Sequence, residues 1–89
     1  MIEERVEIIN RLGLHARAAG KLVDCASRFS SRIQIGKSEQ LVDAKSIMSV
    51  MMLAAAKGTE LAIEIEGRDE QDAWEALSNL INNRFDEPE

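Results

Sequence analysis

His15 is the only histidine in the 89-residue chain. It lies between a glycine-containing loop and an apolar helical pattern, in Gly13-Leu14-His15-Ala16-Arg17-Ala18-Ala19. The first N–H groups of a helix have no partners inside it and carry partial positive charge. An anion placed there gains hydrogen bonds and a favourable dipole. The same field disfavours a protonated imidazole, so a ring nitrogen stays free to attack phosphorus. Arg17, two residues on, offers a planar fork of donors to the same anion. The small residues Ala16, Ala18, Ala19 and Gly20 are expected to leave room for a partner's active site. These types at this spacing fit an anion or phosphoryl site. A lone histidine before a helix also serves as a plain loop residue or cap. A metal site lacks a second histidine, and Cys25 lies a helix length away. That separation also removes a Cys–His nucleophile pair, and Cys25 is expected to be buried.

A second motif is Ser46-Ile47-Met48-Ser49-Val50-Met51-Met52-Leu53, which is apolar on nearly all sides. Val50, Leu53 and Ala54 form one stripe at helical spacing; Ile47, Met48 and Met51 form another. A short helix on a small domain buries one stripe, and an exposed methionine patch suits adaptable docking. The alternative is a helix wedged between elements with both stripes in the core. Ser46 is expected to be the N-cap. Phosphorylated, it would put negative charge at a helix start, acting outward on a partner.

The elements that must position these residues follow from the periodicity. Val6 and Ile8 alternate with charged residues and predict a strand; Asn10-Arg11-Leu12-Gly13 predicts a loop. Ala19, Leu22, Val23, Ala26 and Phe29 predict a helix from about Ala16 to Ser27 or Arg28. Ile33 and Ile35 form a second strand, Gly36-Lys37-Ser38-Glu39 a turn, and Leu41-Val42 a third strand, making a hairpin. The Ser46 helix is expected to run through Leu53 and stop by Gly58. Leu61, Ile63 and Ile65 form a fourth strand with an acidic outer face, ended by Gly67. Asp69 is expected to cap a last helix, with Glu70 and Asp72 in its first turn and a buried stripe of Ala73, Ala76 or Leu77, Leu80 and Ile81. The order β-α-β-β-α-β-α predicts an α+β fold: an open-faced β-sandwich, a four-stranded antiparallel sheet with three helices on one face.

Length suits a single domain, 1–89, with residues 86–89 expected to fray as an acidic tail. A net charge of −5 argues against nucleic acid as a partner. One cysteine makes no internal disulfide. Neither a signal peptide nor a membrane span is expected, which predicts a cytoplasmic protein with no membrane partner.

Asn10-Arg11-Leu12-Gly13-Leu14-His15-Ala16-Arg17 and Lys45-Ser46-Ile47-Met48-Ser49-Val50-Met51, at this separation and in this element order, resemble the two signatures of HPr. HPr is the histidine-containing phosphocarrier family of the bacterial phosphoenolpyruvate-dependent phosphotransferase system, and the resemblance spans essentially the whole chain. It implies a monomeric carrier protein that is not an enzyme and uses no cofactor or metal. His15 would accept a phosphoryl group on Nδ1 from Enzyme I and pass it to an EIIA-type protein, with Arg17 stabilising the phosphate. Ile47, Met48 and Met51, with Gly20, would form the docking surface. Ser46 matches the serine that an HPr kinase/phosphorylase modifies in some lineages. Ala18 departs from the family's usual proline, which presets the first helical turn. Alanine is a good helix former, so the helix is expected to survive with looser geometry around Arg17. Ala18-Ala19, Val50-Met51-Met52-Leu53-Ala54 and Ile81-Asn82-Asn83-Arg84-Phe85-Asp86-Glu87 are similar to NPr, the nitrogen-related branch, which would relay to a regulatory EIIA. Two other readings stand beside it: a sugar-transport HPr, and a regulatory docking module acting through the Met48/Met51 patch and Ser46.

Overall fold

A computed structural model of the chain describes residues 1–37 and 40–89. Four strands, β1 (Ile2–Glu7), β2 (Arg32–Lys37), β3 (Gln40–Asp43) and β4 (Glu60–Glu66), form one antiparallel sheet in the order β1-β4-β2-β3. Helices α1 (Ala16–Ser27), α2 (Ile47–Met52) and α3 (Glu70–Asn82) cover one face, making the open-faced α+β sandwich that the alternation predicts. Strands β2 and β4 donate every second side chain to the core. Ile33 and Ile35 of β2 stand opposite Ile65 and Ile63 of β4, all fully buried. The outward residues of β4 include Glu60, Glu64 and Glu66, the expected acidic face.

The helices supply the other half of the core. Leu22, Cys25 and Ala26 of α1 are buried, with Ala73, Leu77 and Ile81 of α3, while Val23, Phe29, Ala76 and Leu80 only lean on that core. Truncating a fully buried leucine such as Leu22 costs about 2–5 kcal/mol, a large share of the stability of a domain this small. Ala18 and Ala19 are also fully buried. They face the core of a helix that packs against α2 and α3 and do not open the surface around His15 as their size suggested; Ala16, exposed, and Gly20, with open space beside it, do.

Several element ends differ from the periodicity. Strand β1 ends at Glu7; Ile8 leaves it but stays buried, its N–H donating to the Thr59 carbonyl at 2.9 Å. Gly36 and Lys37 belong to β2, paired with Leu41 and Gln40, whereas Ser38 and Glu39, the rest of the expected turn, lie outside the described residues. Gly36 has no room for a side chain: a Cβ there would stand 1.8 Å from the Gln40 carbonyl oxygen. Helix α2 stops at Met52, because Ala54 turns left-handed at φ 49° and breaks the run before Gly58.

Asp69 occupies the N-cap position of α3 but does not cap it. Its carboxylate instead accepts from the Ser30 N–H at 2.9 Å, the Ser31 N–H at 3.0 Å and the Ser31 hydroxyl, and so closes the α1–β2 loop. The Ser31 hydroxyl, then the Ser30 N–H, pull its carboxyl down to about 2.

After α3 the chain makes a tight turn at Arg84–Asp86 with three left-handed residues, φ 57°, 54° and 65°. Such backbone costs about 1–2 kcal/mol per residue. Full burial of the Phe85 ring returns about 1.5–3 kcal/mol, so burial alone does not cover the turn. Polar ties make up the difference: Lys21 Nζ donates to the Phe85 carbonyl at 2.8 Å, and Asn83 Nδ2 to Asp86 Oδ1 at 2.7 Å. The turn sends residues 87–89 back over the molecule toward His15. No described helix is long and apolar enough to cross a membrane.

Candidate functional site

The loop before α1 is fixed from below. Gly13 sits at φ +70°, and a Cβ on it would lie 2.6 Å from the Ala55 carbonyl oxygen, so only glycine fits. The next N–H, of Leu14, donates to that same carbonyl at 2.8 Å, and the Leu14 side chain is buried. His15 is thereby delivered to the N-cap of α1 with extended backbone (φ −74°, ψ 178°), and its carbonyl accepts from the Ala19 N–H at 2.8 Å. The imidazole makes no capping hydrogen bond, and the first turn of α1 holds no acidic residue. The first N–H groups of α1 thus have neither a capping side chain nor an acidic neighbour in their own turn, the arrangement that receives an anion.

The His15 side chain is 27% exposed. With Arg11, Leu12, Arg17, Glu87, Pro88 and Glu89 it lines an open cavity of about 340 Å³. Arg17 is exposed, and among the described residues no carboxylate pairs with it, so its donors are available to a ligand. The far wall is the acidic tail. Glu87 Oε2 meets His15 Nε2, and Glu87 Oε1 accepts from Asn10 Nδ2 at 3.0 Å. The Arg11 N–H donates to the Glu89 carbonyl at 2.6 Å, and Arg11 Nε pairs with the Glu89 carboxylate at 3.2 Å. Residues 86–89, expected from composition alone to fray, are held here by side-chain and backbone bonds. Burial pushes the Glu87 carboxyl up, but the Asn10 and His15 hydrogen bonds, with the charges of His15 and Arg17, outweigh it and leave it below the usual range.

A family model described as "PTS HPr component phosphorylation site" matches residues 2–83. The chain belongs to the HPr family. It is 51% identical to the phosphocarrier protein HPr of Neisseria meningitidis over 89 residues, covering all of both chains. It is 56% identical to the HPr of Pseudomonas aeruginosa over 85 residues, 94% of each. The crystal structure of HPr-C-His from Thermoanaerobacter tengcongensis superposes with a TM-score of 0.95 at 44% identity, again over all of both chains.

Within this HPr fold the residues singled out by sequence fall into two groups. His15 and Arg17 share the cavity. Ser46, Ile47, Met48 and Met51 stand on and before α2, outside it, joined to the His15 loop through the Leu14–Ala55 bond just past that helix. Ser46 is the N-cap of α2, its hydroxyl accepting from the Ser49 N–H at 3.4 Å. Val50 is the buried stripe, while Ile47, Met48 (68% exposed), Met51 and Met52 (80% exposed) face out, with Leu12 exposed on the His15 loop. Cys25 is buried away from the site, and desolvation pushes its thiol up despite the opposing Arg28 charge. Among the described residues no three His, Cys, Asp or Glu side chains gather as a metal site.

Two contributors had no assigned role in the sequence. Asn10 is fully buried in an otherwise polar loop, and its Nδ2 donates both to the Gly13 carbonyl at 2.7 Å and to Glu87. Glu87 lies beyond Phe85; the signal was an aromatic residue in a polar, acidic stretch, which anchors the tail by burial.

Proposed function

We propose that this chain is a phosphocarrier of the phosphotransferase system that carries its phosphoryl group on His15. The observation that carries the reading is the open start of α1: an uncapped helix N-terminus with the chain's lone imidazole at its mouth and Arg17 unpaired beside it. A phosphoryl group on that ring meets uncapped N–H donors and a guanidinium, both of which favour its negative charge. No cofactor enters this chemistry. Nδ1 supplies its lone pair to phosphorus, the donor's bond to phosphorus breaks, and the reverse exchange delivers the group onward.

The donor is Enzyme I and the acceptor an EIIA-type protein, both docking on the exposed Ile47, Met48, Met51 surface with Leu12 and Gly20 at its border. Flexible thioethers let one surface fit two partners. Ser46 is half-buried and already used as a cap; its modification by an HPr kinase/phosphorylase would set charge beside this apolar surface and weaken docking. The carrier acts as a cytoplasmic monomer. Ala18, buried where the family usually has proline, and the Ile81–Glu87 run support the nitrogen-type relay over sugar transport.

Incubation with Enzyme I and labelled phosphoenolpyruvate is the direct test. Acid-labile, base-stable label that disappears in His15→Ala is expected; an unlabelled wild-type chain would refute the reading. Transfer from the labelled chain to a regulatory EIIA in preference to a sugar-type EIIA is expected for the nitrogen branch, and the opposite preference would assign it to sugar transport.

A further inference from the structure

The tail does more than lie near the site. Glu87 reaches the one ring nitrogen of His15 that is engaged, Nε2, and does so as a largely covered side chain, 11% exposed. An ion pair on the open surface contributes little, because water screens it and both side chains must be ordered. Here the ordering is done elsewhere. Phe85 is fully buried, Lys21 ties the Phe85 carbonyl and pairs with Asp86 at 3.6 Å, and Arg11 holds Glu89 through backbone and side chain. Asn10 fixes the carboxylate itself. Its Nδ2 bridges the Gly13 carbonyl and Glu87, while its buried Oδ1 has no partner among the described residues. An unpartnered buried acceptor costs about 1–3 kcal/mol, so Asn10 is placed for what its amide N–H groups hold and not for its own satisfaction.

We propose that Glu87 is a positioning residue for His15: its carboxylate, held by Asn10, receives the Nε2–H hydrogen bond, leaves the ring's lone pair on Nδ1, and balances the positive charge the ring gains as the N–P bond forms. This inference rests on the phosphocarrier reading of His15. With the proton kept on Nε2 by the carboxylate, the only bare nitrogen is Nδ1. As Nδ1 gives its electron pair to phosphorus, the donor's bond to phosphorus breaks and that pair stays with the donor. Nε2 keeps its proton throughout, and Glu87 remains a carboxylate. The charge that appears on the ring is met by a fixed anion at Nε2, as in other carboxylate–imidazole pairs. The other charged groups around the ring are Arg17 from α1, Arg11 from the loop, and Glu89 from the tail, with Lys21 and Asp86 flanking Phe85.

A ring that keeps its Nε2 proton is the better leaving group for onward transfer. Glu87→Gln removes the charge while keeping shape and an acceptor for Nε2–H. We expect phosphoryl uptake at saturating Enzyme I to fall about tenfold with the half-saturating concentration unchanged. Glu87→Ala should lose as much or more, and Glu3→Gln, which removes one exposed charge on the open sheet face, should match wild type. Uptake unchanged in both Glu87 variants would overturn the proposal. Faster uptake would overturn it too, marking the tail as an obstacle to docking. The unphosphorylated wild-type chain is a separate control: a downfield, exchange-protected Nε2 proton that vanishes in Glu87→Ala reports the pair even if Enzyme I labels nothing. Failure of the phosphocarrier reading is thereby distinguishable from failure of this one.

Discussion

Helices α1 and α2 begin alike and end up with opposite uses. In both, the N-cap residue is extended and its carbonyl accepts the first helical N–H, at 2.8 Å for His15 and 3.0 Å for Ser46. In α2 the Ser46 hydroxyl also turns inward and takes the Ser49 N–H, closing that end with its own side chain. In α1 the imidazole turns away, and Glu87 and Asn10 hold it away. The lesson is that a helix start becomes an anion site by what its cap residue declines to do. It also needs support from outside the helix: Gly13 and Ala55 below, the tail beside.

Closing α1 should therefore abolish the difference. Ala16→Glu adds a carboxylate to the exposed first turn. It should leave the melting temperature unchanged or slightly raised, since an acid there stabilises a helix by about 0.3–1 kcal/mol. It should also lower phosphoryl uptake about a hundredfold through repulsion of the incoming group. Labelling kinetics beside a thermal melt checks both halves, and undiminished uptake would show that the α1 start is not where the phosphoryl group sits.

The tail is the next support to remove. Phe85→Ala should cost about 3–5 kcal/mol in denaturant unfolding and should free Glu87 from His15, so uptake should fall by the same factor as in Glu87→Ala. A destabilised variant with wild-type uptake would separate the tail's structural role from the site.

At α2 the expected effects are smaller. Ser46→Ala should cost about 1 kcal/mol as a lost cap and leave His15 labelling rates near wild type. Ser46→Asp should weaken Enzyme I binding through charge beside Met48 and Met51, read by titration calorimetry. Equal binding by both variants would detach Ser46 from the docking surface.

How much of this the sequence carried depends on the range of the interaction. The sheet and the three helices were legible because their signals are local: isoleucines at every second position in β2 and β4, apolar residues at helical spacing in α1 and α3. His15 and Arg17 were legible because they lie two residues apart on one helix start. The Glu87–His15 contact joins residues 72 apart, and nothing in the period of either segment records it. The end of α2 was legible to within one residue: Leu53 is its C-cap, and the exposed Ala54 beyond it turns left-handed, which no periodicity records. Ala18 and Ala19 were misplaced. Small residues read as open space, but beside neighbouring helices they are what lets backbones approach.

The third helix start sharpens the comparison. Asp69 also lends its carbonyl to the first N–H of its helix, Ala73 at 2.9 Å, yet its side chain leaves the helix to bind Ser30 and Ser31. That use is readable in pH. The folded carboxyl lies at about 2, below its unfolded value near 3.9. Its contribution is therefore complete above about pH 4 and is lost as pH falls toward 2, where the folded chain must also take up the proton. Asp69→Asn should remove this component. Its melting temperature should lie below wild type at pH 6, and the gap should narrow between pH 4 and pH 2. Parallel melting curves across that window would mean that the Ser30–Ser31 loop does not depend on the Asp69 charge. The start of α3 would then be an unfilled cap like that of α1, without a ligand to receive.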